Sequence, residues 1–550
     1  MKSVCKSLMM GMLLSIATLI PSQVRAQSEA KPAVVISIAN LDEQLKDVKY
    51  LLTASGFPEL NFLAKAGIKG YAEGVDFSRD AGVALHFEGE NTTPSVSGFV
   101  PVEDLEILLD SVSGIAEVEE NEDEDYYTIT TPDGTEIRVE EKGGYALFAT
   151  KPELIKTLPA EPAKMLGDNP TKYNLAFLIY PQHVPQPLRD LALDMIKEGS
   201  MQTLDQLDEE LQEAQRQNLK TQMRQFEMIL NDSESLVIGM AADADNKKLY
   251  TDIEYLAKAG SELAEKTNQA KATEPSRFAG FLMPNATMNF NANGKIPESD
   301  GASYDTLLVE AKKAVIEKMN EEGELSDAEF EKVEGLVESV VDLLSETLKK
   351  GIVDTGMAAV IEGPDINLVG GMTAADPAKV ETAIKDLVPL LKERLDNSDA
   401  PDIEFNFDTE THEGVRFHEI KIAFDHEPTR NVIGDSASMV IGFGADSIYY
   451  GIGNGPMRMI KKGMAAKGKT EFDSEFNFRV APFLKFLGRL PDAPEQLEIF
   501  AEQLTENGGD LIRAYGKYIP NGSFSRFELQ DGLLSLIKSA QDVYENANGF

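Results

Sequence analysis

Residues 82–102, GVALHFEGENTTPSVSGFVPV, decide how this chain folds. GVALHFEG (82–89) and SVSGFVPV (95–102) are β-rich runs joined by a short polar connection, the pattern of an antiparallel hairpin. Upstream, AVVISIA (33–39) reads as a strand. Asn40 and Glu43 form a capping box, and Leu41, Leu45, Val48 and Leu52 follow at helical spacing. A second helix is expected over 58–72, and Leu105, Leu108 and Val112 mark a helix after the hairpin. The result is a unit of strand, two helices, hairpin and helix.

Working outward, the same order recurs. NLAFLIYP (174–181) opens a second copy, with helices over 187–197 and 203–230 and a hairpin of SLVIGMAAD (235–243) with KKLYTDIEY (247–255). RFAGFLMP (277–284) opens a third. Tyr304, Leu308, Ala311 and Val315 mark its first helix; its second starts at a Ser326–Glu329 capping box and carries Phe330, Val333, Val337, Val340 and Leu344. Its hairpin is TGMAAVIEG (355–363) with INLVGGMTA (366–374). FNFRV (476–480) opens a fourth, whose hairpin turns at Asn521-Gly522, a strong tight-turn signal. Strand-rich additions follow the first and third copies, over 126–149 and 403–453. The chain therefore reads as a duplicated α+β protein of β-α-α-β-β-α units, with large curved antiparallel sheets and helices packed on one face. Its halves are 27–272 and 273–550, with a polar seam near 271–275.

The first 26 residues read as a cleavable secretion signal: Lys2 and Lys6, an apolar stretch over 8–20, then Val24 and Ala26 at the −3 and −1 positions before Gln27. The apolar stretch is short for a membrane span. Cleavage after Ala26 implies a periplasmic or extracellular address and no membrane span in the mature chain. Cys5, the one cysteine, leaves with the signal, and so do disulfides and thiol chemistry. Formal net charge is −41, and losing Lys2, Lys6 and Arg25 makes the mature chain three charges more acidic. Such a field opposes binding to nucleic acid and anionic lipid.

Each chemical motif competes with a structural reading. Of the five histidines His86, His183, His412, His418 and His426, three cluster. His412-Glu413 with His418 lacks the H-E-x-x-H spacing that puts two ligands on one helical face. Residues 415–424 alternate like a strand, with His418 facing the same way as Arg416, Ile420 and Ile422. Residues 318–329 have the outline of a calcium loop, but Lys318 occupies the place of the first carboxylate, and a helical hairpin explains the same residues. The acidic run 117–125 reads as a solvated loop open to loose Ca2+ association. Gly434-Asp435-Ser436 lacks a histidine partner, and Ser535 with Lys538, an S-x-x-K match, falls on an amphipathic helix. Leu204, Leu207, Leu211 and Ala214 keep a heptad that then slips, which suits packing on a neighbouring helix better than a coiled coil.

DLIRAYGKYIPNGSFSRFELQDGLLSLIK (510–538), with the signal and the acidity, resembles large acidic secreted proteins of planctomycete-type bacteria. That resemblance implies an envelope location and carries no activity. No catalytic, cofactor-binding or metal residue is assigned from the sequence, and no cofactor is expected. The expected role is a non-enzymatic exported envelope protein that binds or scaffolds an unknown protein or a small apolar ligand. The alternatives are a carrier of lipid-like molecules in a sheet–helix cavity and a hydrolase with an unrecognised carboxylate site.

Overall fold

The computed structural model describes residues 31–121, 124–204, 209–322, 326–363, 365–396, 403–424, 430, 434–466, 468, 470–491 and 493–548. The secretion signal, Cys5 and His426 lie outside the described residues. The chain forms two compact units: Met1–Ile196 with Phe226–Leu263 and Arg526–Phe550, and Lys197–Gln225 with Ala264–Ser525.

The first part of the chain runs β1 (Val34–Ile38), α1 (Leu41–Ala54), α2 (Leu60–Tyr71), β2 (Ala81–His86), β3 (Ser95–Pro101), α3 (Leu105–Ser113), β4 (Glu117–Asn121), β5 (Tyr126–Thr130), β6 (Glu136–Lys142), β7 (Tyr145–Ala149), α4 (Pro152–Ile155), α5 (Asn169–Lys172), β8 (Leu175–Ile179), α6 (Gln186–Leu204), α7 (Glu209–Asp232), β9 (Ser233–Asp243) and β10 (Lys248–Ala257). The Asn40 side chain accepts the Glu43 N–H at 3.0 Å and starts α1 where the sequence places it. The strands pair antiparallel in the order β4-β5-β6-β7-β3-β2-β1-β8-β9-β10.

The chain continues as α8 (Glu262–Ala270), β11 (Met288–Lys295), α9 (Glu298–Glu322), α10 (Asp327–Lys349), β12 (Ile352–Glu362), β13 (Asp365–Thr373), α11 (Pro377–Asp396), β14 (Ile403–His412), β15 (Val415–Ala423), β16 (Ser436–Phe443), β17 (Ser447–Gly453), α12 (Pro456–Ala465), β18 (Ser474–Arg479), α13 (Val480–Leu487), α14 (Gln496–Asn507), β19 (Leu511–Ile519), β20 (Gly522–Gln530) and α15 (Ser535–Asn548). The Ser326 N–H and hydroxyl both donate to the Glu329 carboxylate, closing the expected cap of α10. Asn521 takes the left-handed φ of 55° that its tight turn needs. In the second unit the ladder is β14-β15-β16-β17-β13-β12-β11-β18-β19, again antiparallel. Numbered from each unit's own first strand, both ladders run 4-5-6-7-3-2-1-8-9, and the first continues into β10.

The α+β class and the antiparallel pairing follow the sequence expectation; four details differ. Helices cover both faces of the sheet rather than one. Val440 on β16 packs with Ile460 of α12, whereas Ile441 and Phe443 pack with Leu343 of α10 and Val380 of α11. Successive strand residues point to opposite faces, so these helices lie on opposite sides. In the first unit Leu147 and Ala149 likewise meet α4, while Ala146 and Phe148 meet α3. The ladders are also open and uncurled where curved sheets were expected; with both faces covered, neither has to wrap around a core of its own.

Second, residues 277–284 are not a strand. Ala279–Phe281 form a 3-10 turn that drives Phe278, Phe281 and Met283 into the core, and the strand begins at Met288. A Cβ on Gly280 would lie 2.0 Å from the Gly463 carbonyl oxygen, so only glycine admits this approach to α12.

Third, the acidic run 117–125 is in part a strand, β4, at one end of the first ladder. Charge along an edge strand discourages pairing with other chains, and β14 at the end of the second ladder carries Glu404, Asp408 and Glu410 to the same effect. Fourth, the compact units are not the contiguous halves 27–272 and 273–550. Residues from Ala264 join the second unit, where Lys266 bonds Asp300 at 2.8 Å and Lys271 bridges Gly294. Residues from Arg526 join the first, where the Lys538 side chain packs on Gly56.

Candidate functional site

Among the described residues one group of three metal-capable side chains comes together: Glu381, Asp408 and His418. They arrive from three elements of the second unit. Glu381 lies in the first turns of α11, on the side that buries Val380 and Ile384 against the sheet. His418 lies on β15 and points to the same layer, because it alternates with Phe417, whose ring fills the opposite core. Asp408 sits in a bulge of β14, where the register with β15 shifts between Asn406 and Glu410, and its φ is +52°.

His418 is 5% exposed, between the rings of Phe407 and Phe443 at 5.4 and 5.6 Å. Its Nδ1 accepts the Asp408 backbone N–H at 2.9 Å. A backbone N–H can only donate, so Nδ1 carries no proton; the ring proton is on Nε2, which donates to Glu381 Oε1 at 3.2 Å. Lys385 Nζ donates to Glu381 at 2.9 Å and Arg416 Nη2 at 2.5 Å. Lys385 also reaches the Asp408 carboxylate at 3.3 Å.

Burial alone would push the Glu381 carboxyl up, but the donors Lys385 and Arg416 outweigh it and hold it below the usual range. Burial pushes the His418 imidazole down, the Lys385 charge adds to that, and Glu381 opposes both. The ring is therefore neutral at neutral pH.

This donor set does not suit a metal ion. The Nδ1 lone pair is engaged by a backbone N–H, Nε2 bears the proton, and a cation beside Glu381 would have to displace both an ammonium and a guanidinium. What the arrangement does is hold a strand bulge and neutralise a buried carboxylate.

A second buried carboxylate stands in the first unit. Asp252, on β10, is 1% exposed and meets Arg526 in a two-pronged pair, Nε–Oδ1 at 2.6 Å and Nη2–Oδ2 at 2.7 Å. The Tyr173 hydroxyl donates to Oδ2 at 2.9 Å, and the Arg526 guanidinium lies 3.9 Å over the Tyr250 ring. Burial, with the Asp252 charge beside it, pushes the Tyr173 hydroxyl up, out of reach of ordinary titration.

The remaining candidates separate. His86 is buried and shares a 2.9 Å hydrogen bond with Ser97; His183 Nδ1 meets the Pro32 carbonyl at 2.8 Å. His412 ends β14, and His426 lies outside the described residues. Residues 318–322 of the calcium-loop outline are helical, and 323–325 lie outside the described residues. Along β4, Glu119 and Glu120 point to opposite faces, so these acids do not converge. Ser436 opens β16. Ser535 donates to the Gly532 carbonyl at 2.6 Å, while the Lys538 stem packs on Gly56, which dissolves the S-x-x-K match. Of the heptad residues, Leu204 lies on α6 and Leu211 and Ala214 lie on α7, and Leu207 is outside the described residues.

Sequence reasoning reached His418 and Arg416 on one strand face but missed Glu381, 37 residues away on a helix whose apolar spacing signals only packing. No protein-family model matches this sequence, and comparison with curated proteins and with solved structures finds no match.

Proposed function

We propose that this chain is an exported, non-enzymatic protein of the periplasm or extracellular space that works by binding or scaffolding. The observation that carries this reading is the saturation of the Glu381–His418 group. Both imidazole nitrogens and the carboxylate are engaged by the protein itself, so the group lacks a free base or nucleophile to offer a substrate. The identical strand order of the two units supports a duplicated scaffold, and the signal-like start and the resemblance over 510–538 support export.

The test is a screen of the mature chain against ester, glycoside, peptide and phosphate substrates, with Glu381→Gln and His418→Asn run alongside. No turnover is expected in any of the three. Turnover in the wild type that either substitution abolishes would sink the reading.

A second reading, a carrier of apolar molecules, is favoured by one face of the first unit. Val34, Ile36, Ile38, Phe177 and Ile238 align across β1, β8 and β9, all only half-buried, and Met240 and Ile253 continue the patch at 37% and 48% exposure. Helix α1 has no fully buried residue. Lipid released from the purified protein and identified by mass spectrometry would favour the carrier; protein that purifies free of lipid and takes none up from vesicles would count against it.

A further inference from the structure

The bulge in β14 is held by an acceptor that a proton can remove. Asp408 takes a left-handed φ that costs a non-glycine residue stability, and its N–H has left the ladder to point at His418 Nδ1. We propose that His418 pins the Asp408 bulge only while its imidazole is neutral, so that acid releases this segment of the edge strand and leaves the rest of the unit folded. A proton on Nδ1 would face the Asp408 N–H donor to donor, and the two cannot share that contact.

Charged groups reach the ring from each element packed on it. Glu381 and Lys385 come from α11, Asp408 from β14 and Arg416 from β15 itself; β16, which has no ionisable residue, presents Phe443. Glu381 and Asp408 would welcome an imidazolium, and Lys385 and Arg416 would not. The cations already neutralise Glu381, so the local balance leaves little attraction for another positive charge. Burial and the Lys385 charge lower the pinned imidazole's affinity for a proton, so release sets in at the ordinary histidine range and is complete only below it. The segment freed lies at the end of the ladder, where one side of β14 pairs with β15. Released backbone there would offer donors and acceptors to a partner strand at acid pH.

The experiment is amide hydrogen exchange on the full mature chain, corrected for the intrinsic pH dependence, between about pH 7.5 and about pH 4.5. Protection of residues 407–409 is expected to fall by up to about tenfold for each pH unit between the ordinary histidine value and the lower value of the pinned imidazole, while β16 keeps its protection. His418→Asn puts a non-titrating Oδ1 where Nδ1 stood, and there the protection of 407–409 should stay level with pH. Equal acid sensitivity in both proteins, or none in the wild type, overturns the proposal. Should the variant fail to fold, the nitrogen chemical shifts of His418 in the wild type decide: Nδ1 is expected bare at neutral pH, and a protonated Nδ1 there overturns the pin.

Discussion

Two buried carboxylates, one in each unit, are held in contrasting ways. Asp252 is gripped by Arg526, whose charge is permanent across the accessible pH range, and by a tyrosine whose hydroxyl burial keeps protonated. Glu381 shares its oxygens among a lysine, an arginine and a histidine whose proton is labile. The first site is a fixed clamp, and it ties the last 25 residues of the chain to strands far back in sequence. The second is adjustable. Pairing alone does not say which behaviour results; the titration range of the partner does.

The largest expected effect tests the clamp. Arg526→Ala leaves Asp252 charged, buried and without its counter-ion, a change worth about 3–5 kcal/mol. A urea titration should register that loss, and limited proteolysis should begin cutting after Ser525. Arg416→Ala should cost much less, because the Arg416 side chain is 55% exposed and Glu381 keeps Lys385 and His418. Equal midpoints for the two variants would break the comparison.

A smaller loss is expected from Glu381→Gln, about 1–3 kcal/mol, since an amide can still accept from His418 while Lys385 and Arg416 turn to water. Its sharper effect is on pH dependence. In the wild type the folded His418 binds its proton more weakly than the unfolded one does. Between the unfolded value near 6.5 and the lower folded value, the unfolded chain therefore holds more protons, and stability falls as pH falls. Above 6.5 the contribution is complete. Glu381→Gln removes an acceptor that favours imidazolium and lowers the folded value further, so the acid loss should begin near 6.5 in both proteins but run to lower pH, and grow larger, in the variant. Thermal melting of each variant at a series of pH values measures the difference.

How far the sequence discloses this arrangement follows from the range of the signals. Period-two runs such as 235–243, the Asn40–Glu43 cap and the Asn521-Gly522 turn are local, and the elements stand where those signals put them. The partners of the buried carboxylates are not local: Arg526 is 274 residues from Asp252. Nor does any residue in α15 declare which core the helix will dock on, so the contiguous halves expected from element order are not the compact units. The bulge at Asp408 was invisible for a related reason. Residues 403–412 alternate well enough to pass for a regular strand, and only the register against β15 reveals the two extra residues. The 3-10 turn at Ala279–Phe281 misled in the opposite direction, because an apolar run buried on all sides looks the same whether it is extended or coiled.

The smallest expected effect belongs to a contact that looks stronger than either clamp. Lys46 Nζ lies 2.5 Å from Glu43 Oε1, closer than Arg526 lies to Asp252, and the pairing raises the Lys46 pKa. Yet both side chains are more than half exposed. Water solvates each charge almost as well apart as together, and holding two long side chains in one pose removes rotamer freedom. Lys46→Ala should therefore leave the denaturation midpoint unmoved, in low salt as in high. A midpoint shift approaching that of Glu381→Gln would mean that distance, and not exclusion of water, ranks the ion pairs of this protein.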